Sequence, residues 1–259
     1  VAGACQAQPE ELIVVVNADR VADAAGLAPT ARVVCGGARR RDSVAAGAEA
    51  VRDALAGGPD GSAQLLVVFA SESNDLSALV GEICRNADGV PLIGCSTAGE
   101  IATDGPGDAG VVVFALGGGG FTVVTHVAEG VSADLRNAGV QVAASLAGVM
   151  ERPHRVMLML TDALAGDQEE IVRGVYSVIG ATAPLVGGCA GDDLKMKRTF
   201  QFHGNQVHSD AVVVAALGSD APFGIGVHHG WQPVGEPMLV TSSSGNRVDE
   251  LDGRRALDV

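Results

Sequence analysis

Two short glycine-rich stretches hold the residues best suited to chemistry. Gly94-Cys95-Ser96-Thr97-Ala98-Gly99-Glu100 and Gly187-Gly188-Cys189-Ala190-Gly191-Asp192-Asp193 each follow an apolar run and join small residues to a carboxylate. Glycine permits close backbone approach, its N–H groups can cradle an anion, and a neighbouring hydroxyl or carboxylate can fix the polar groups of a small molecule. The candidate ligand-binding residues are therefore Gly94, Ser96, Thr97, Gly99, Glu100, Gly187, Gly188, Gly191, Asp192 and Asp193. Either stretch alone could equally be a tight turn between strands. Their recurrence favours function, because Pro91-Leu92-Ile93-Gly94 before Ala98-Gly99-Glu100 is echoed by Pro184-Leu185-Val186-Gly187 before Ala190-Gly191-Asp192. Two equivalent loops could then face one another across a cleft. Their carboxylates would repel a phosphate and hold an ammonium group by a charge-assisted bond, so a small zwitterion of the amino-acid class is the expected ligand. Glu100→Gln and Asp192→Asn should each weaken binding by about 1.5 to 3 kcal/mol, and stability should change little if these side chains are solvated in the free protein.

Other chemistries fit less well. Structural zinc needs paired Cys or His at short spacing, and the chain contains neither CxxC nor HExxH. The pair His228-His229 would point to opposite faces of a strand, while His203 and His208 flank a hairpin turn at Gly204-Asn205. There is no Gly-x-Ser-x-Gly elbow. Cys95 and Cys189 occupy corresponding places but lack an evident His or basic partner to activate a thiolate, and read as buried thiols. Trp231, the sole indole, lines a pocket or covers the edge of the core. No catalytic or metal-binding residue is assigned, and a non-enzymatic role is expected.

These loops sit in an acidic chain built of small residues. Gly makes up 36 of 259 positions and aromatics 3%, while hydrophobic residues reach 47%, enough for a sizeable core. Lys and Arg number 17 against 31 Asp and Glu, a formal charge of −14, which argues against nucleic acid or an anionic membrane as partner. No apolar run approaches the roughly 20 residues that span a bilayer. The five cysteines, Cys5, Cys35, Cys84, Cys95 and Cys189, are odd in number and scattered. They suit free thiols in a reducing compartment with no secretion signal before them, so a cytoplasmic location is expected. The chain begins without Met and stops at Val259, which suggests a piece of a longer protein.

Apolar periodicity supplies the elements that must position the loops. Leu12 to Val16 and Arg32 to Cys35 read as strands, followed by a helix from Ser43 to Ala56 capped by Asp42 or Ser43. Leu65 to Ala70 predicts a strand, and Asn74 or Asp75 caps a helix with Leu76, Leu79, Val80 and Ile83 inward. Strands follow at Pro91 to Cys95, Val111 to Leu116 and Phe121 to Val127, then a helix over Asp134 to Met150. Val156 to Leu160 predicts a strand, and Asp167 with Glu170 forms a capping box for a helix with Ile171, Val175 and Val178 on one face. Pro184 to Gly188 and Ala211 to Leu217 close the second unit, and the chain then turns β-rich at Phe223 to His229 and Met238 to Thr241 before a polar turn at Ser242 to Asn246. The fold class is α/β: internally duplicated strand-helix-strand units forming a mixed sheet covered by helices, with a β-rich C-terminal part. The units beginning at Leu65 and Val156 should superpose. Gly57 to Ser62 is the linker-like stretch that precedes them.

From about residue 60 to the end the chain resembles the N-terminal FIST domain. The resemblance rests on Leu66-Val67-Val68-Phe69-Ala70-Ser71, on both glycine-rich stretches with their preceding strands, and on Gly230-Trp231-Gln232-Pro233 through Gly245-Asn246-Arg247-Val248 to Leu251-Asp252-Gly253. It implies an intracellular sensory module for small ligands, with amino acids among the candidates, that passes its signal to a C-terminal FIST domain or a signalling partner outside this chain. Some family members are reported to bind haem, so the resemblance also implies a haem-based gas sensor as an alternative, with His203, His208, His228 or His229 as axial ligand. Otherwise no cofactor is expected. Residues 31–259 are assigned to this domain, and residues 1–30 are given no role. Residues 10–56, on Gly36-Gly37-Ala38-Arg39-Arg40-Arg41-Asp42-Ser43-Val44-Ala45-Ala46-Gly47, resemble an internal piece of 2-C-methyl-D-erythritol 4-phosphate cytidylyltransferase. That enzyme's nucleotide loop and metal-binding acids have no counterpart at matching positions, so at most a fusion fragment without transferase activity is implied.

Overall fold

A computed structural model describes residues 40–56, 63–102, 105–107, 110–118, 120–226, 235–244 and 247–258. They divide into two compact units, one within residues 1–227 and one within 228–259. The expected strands at Leu12 to Val16 and Arg32 to Cys35, the linker at Gly57 to Ser62 and most of the cytidylyltransferase-like stretch lie outside the described residues.

The first unit runs α1 (Arg40–Ala56), β1 (Ala63–Ser71), α2 (Leu76–Asn86), β2 (Leu92–Thr97), a small ribbon of β3 (Glu100–Ala102) and β4 (Gly105–Gly107), β5 (Val111–Gly117) and β6 (Phe121–Glu129). It continues with α3 (Leu135–Ala143), β7 (His154–Thr161), α4 (Gln168–Ile179), β8 (Leu185–Cys189), β9 (Gln201–His203), β10 (Gln206–His208) and β11 (Ala211–Ser219). The described residues are mixed α/β with helices covering the strands, as expected, and the main strands of this unit form two sheets. One has the order β10-β9-β2-β1-β5, the other β6-β11-β7-β8. The central strands carry apolar residues at consecutive positions because both their faces are covered. Leu66, Val68 and Ala70 of β1 pack with α1 and α2, whereas Leu65 and Val67 meet Val213, Ala215 and Leu217 of β11 between the sheets. Met157, Met159, Val212 and Val214 face α3 and α4 on the far side. The order of layers is helices, sheet, sheet, helices.

The two strand-helix-strand units share topology and register. β1 pairs with β2 in parallel, Leu66 opposite Leu92 and Val68 opposite Gly94, with β5 antiparallel on its other side. β7 pairs with β8 in parallel, Met157 opposite Leu185 and Met159 opposite Gly187, with β11 antiparallel on its other side. Both glycines are required by close approach: a Cβ at Gly94 would lie 2.1 Å from the Val68 carbonyl oxygen, and one at Gly187 would lie 1.8 Å from that of Met159.

Several local expectations are corrected. α1 already includes Arg40, so Asp42 and Ser43 lie inside it rather than at its cap. Asp75 caps α2 through the Ala78 amide, as one of the two expected residues. The helix expected over 134–150 ends at Ala143 and continues as a 3-10 helix, Ala144–Val149, where the Ser145 hydroxyl donates to the Val142 carbonyl and competes with the α-helical pattern. Asp167 caps α4 through the Glu169 amide, while Glu170 pairs with Arg136 and Arg173 instead of completing a capping box. Ile179 completes the buried stripe of α4, and Val178 is 50% exposed. Residues 223–226 form no strand, and 227–229 lie outside the described residues.

The second unit is a small antiparallel sheet of β12 (Val240–Ser244), β13 (Arg247–Leu251) and β14 (Arg254–Arg255). Ser242 to Ser244 therefore belong to a strand, not to the expected turn. No helix among the described residues is long and apolar enough to cross a membrane.

Candidate functional site

The two glycine-rich stretches meet. Ser96, near the end of β2, is fully buried, and its hydroxyl donates to the Gly191 carbonyl at 2.8 Å while accepting from the Phe200 amide at 2.9 Å. The Gly191 amide donates back to the Ser96 carbonyl at 2.8 Å. A Cβ at Gly191 would lie 2.8 Å from the Ala98 nitrogen, so the second stretch packs backbone against backbone on the first. This joins the C-terminal ends of two parallel strand pairs, the end at which α/β sheets present loops to ligands.

The carboxylates do not all point outward. Glu100 is 4% exposed and accepts from the Gly110 amide at 2.6 Å and the Thr97 hydroxyl at 2.5 Å. Asp192, also 4% exposed, accepts from the amides of Met196, Lys197 and Arg198 at 3.1, 2.7 and 3.2 Å. The Lys197 amide, helped by those of Arg198 and Met196, holds the Asp192 carboxyl below its ordinary value against the opposing effect of desolvation. Glu100 and Asp192 are thus not solvated, because both satisfy backbone donors, and the condition for an unchanged stability in Glu100→Gln and Asp192→Asn is not met. Asp193 stays exposed at the rim, with Gly99 and Gly188 beside open space.

Lys195 is the partner that motif reading missed. Its ammonium group pairs with Glu72, at the end of β1, and lies 3.7 Å from Asp193. Its signal in the sequence was rarity, since Lys195 and Lys197 are the only lysines in the chain. Glu72, Lys195 and Asp193 thus put both signs of charge at the rim. Two clefts lie elsewhere: one of about 450 Å³ is lined by Gln64, Asp88, Pro91 and Phe121, and one of about 330 Å³ by Thr122, Arg152 and Asp220. Neither includes a residue of the glycine-rich stretches.

The predicted hairpin at Gly204-Asn205 is present, and its histidines face β6. His203 Nε2 is 3.1 Å from the Thr125 hydroxyl, and His208 Nδ1 is 2.7 Å from Glu129 Oε1. His208 Nε2 is buried without a hydrogen-bond partner, as is Oε1 of its cross-strand neighbour Gln201. Burial, and then the nearby His208 and His126, lower the His203 pKa from 6.5. The unfolded chain therefore takes up a proton near that pH that the native state resists. The stability His203 contributes is fully present above 6.5 and is lost as pH falls through the folded value. Thermal melts from about pH 7 down to pH 5 should fall less steeply for His203→Gln than for the parent; parallel profiles would contradict this. His228, His229 and Trp231 lie outside the described residues. Cys95 is buried, its thiol pushed up to about 12 mainly by desolvation, whereas Cys189 is exposed, contrary to the reading of both as buried. Among the described residues no group of three or more His, Cys, Asp or Glu could hold a metal ion.

The family model of the FIST N domain matches residues 64–254, which is most of the chain. An uncharacterized protein of Methanocaldococcus jannaschii is 33% identical over 84 residues, covering 32% of this chain and 16% of that protein. The aligned region is thus a small part of that relative's length.

Proposed function

The chain belongs to the FIST N domain family, and from that premise we propose that it is a cytoplasmic, non-catalytic sensor of a small zwitterion of the amino-acid class. FIST domains sense small ligands in signal transduction. The observation that carries the finer reading is the rim where the ends of β2 and β8 meet, with Lys195 between Glu72 and Asp193. An ammonium group suits Glu72 and Asp193, a carboxylate suits Lys195, and Thr97, Gly99 and Gly188 leave space for the rest. Gly94 and Gly187 let the strands approach, Ser96 and Gly191 join the loops, and Glu100 and Asp192 position them. We read the two units as copies of one design, and the output as passing to a C-terminal FIST domain or signalling partner.

A thermal-shift screen over amino acids, nucleotides and haemin tests this, since a ligand bound only by the native state raises its apparent stability. One amino acid should raise the melting temperature by several degrees. Asp193→Asn and Lys195→Met should each weaken its binding by about 1.5 to 3 kcal/mol in calorimetry, the scale of hydrogen bonds to charged groups. Unchanged affinity in both variants, with circular dichroism intact, would remove the site. A response to nucleotides alone would remove the ligand class.

The second reading, a haem-based sensor, draws on one observation. A carboxylate on one imidazole nitrogen with the other free is how axial histidines are oriented, and Glu129 with His208 has that form. When bound, haem would supply an iron centre for a diatomic gas. The free nitrogen is buried, and neither cleft is lined by His208. A Soret band on haemin titration that His208→Ala abolishes would favour this reading over the first.

A further inference from the structure

The loop from Asp192 to Arg198 holds both lysines of the chain and is followed directly by β9's approach. With Arg198, three cationic residues fall within four positions of a molecule whose formal charge is −14. Leu194, 80% exposed, stands between Asp193 and Lys195, and Met196, 68% exposed, stands between the two lysines. Both have left-handed backbone, with φ of 60° and 52°. Bulky residues adopt that conformation only where their surroundings over-determine it. Here the surroundings are specific: the Asp192 carboxylate gathers three amides, Lys195 is tied to Glu72, and Arg198 lies 4.8 Å from the Phe200 ring centre and donates to the Ser209 hydroxyl at 3.2 Å. The fold holds two large apolar side chains out in water, Met196 between two lysines and Leu194 between Asp193 and Lys195.

We propose that this loop is a docking surface for an acidic segment of a partner protein, one that carries apolar side chains between its carboxylates. Leu194 and Met196 enter the apolar positions, and Lys197 and Arg198 pair with the acids. Charge selects this occupant. An extended acidic segment meets the loop alone, whereas an anionic bilayer or a second copy brings a whole negative surface against a molecule of net charge −14. The surface does not depend on which small ligand the rim binds, and its test needs no ligand.

The experiment is selection of a displayed library of short random peptides on the intact chain, with affinities measured by fluorescence anisotropy. Enriched peptides should combine Asp or Glu with Leu, Ile or Phe, and should bind more weakly as salt rises. The double variant L194S/M196S should lose about tenfold or more in affinity, and K197E/R198E should lose as much, both with unchanged circular dichroism. Four results would each overturn the proposal: no enrichment, enrichment of neutral or basic peptides, equal binding to the variants, or binding to phosphatidylcholine–phosphatidylglycerol vesicles in place of peptide.

Discussion

Gly174→Val should destabilise the protein by more than about 4 kcal/mol, the range reserved for disruption of a packed core. α3 and α4 touch backbone to backbone: a Cβ at Gly174 would lie 2.1 Å from the Arg136 carbonyl oxygen and 3.1 Å from the Gly139 Cα, and one at Gly139 would lie 2.2 Å from the Ile171 carbonyl oxygen. Relief requires the helices to part. Ala138, Val142, Ile171 and Val175, all buried in the layer they share with the sheet, would then lose their contacts. Gly81→Ala is the control, because Gly81 lies inside α2 with nothing within 4 Å of an added Cβ. It should be neutral or stabilise by about 0.5 to 1 kcal/mol through lower backbone entropy in the unfolded chain. Denaturant unfolding measures both, and a Gly174→Val midpoint equal to the parent's would refute the packing described.

Ser96→Ala should cost about 3 kcal/mol, although it removes one oxygen. That hydroxyl serves the Gly191 carbonyl and the Phe200 amide, and a buried donor or acceptor left unmade costs about 1 to 3 kcal/mol. The effect should concentrate where the two stretches join. Hydrogen exchange should quicken at Gly191 and Phe200 well before the centre of β11, which is buried throughout. Uniform exchange across both regions, with stability unchanged, would show that Ser96 is free for a ligand after all.

Most elements were legible from local pattern. The apolar run of β1, the stripe Leu76, Leu79, Val80 and Ile83 of α2 and the cap at Asp75 depend on residues a few positions apart. The repeated Pro-Leu-x-Gly pattern likewise anticipated matched strand registers. Misses fell where two local patterns compete. Val178 and Ile179 are both apolar neighbours on α4, and only the direction of the sheet decides which is covered. The 3-10 segment after α3 arises from a serine hydroxyl competing for a backbone carbonyl, which apolar spacing does not register.

The site divided in the same way. Residue types and their recurrence determined that two glycine-rich, acidic loops each follow an apolar strand, in a chain of formal charge −14. Only the tertiary structure decided how the strands split into two stacked sheets, and which polar groups the fold itself uses. Ser96 finds Gly191 at a separation of 95 positions, Glu100 finds the Gly110 amide, and Lys195 reaches Glu72 across 123 positions. The physical reason is the range of the forces involved. Backbone propensity and apolar periodicity act within a few residues, whereas a buried carboxylate or hydroxyl is satisfied by whichever donor or acceptor the packed chain brings beside it.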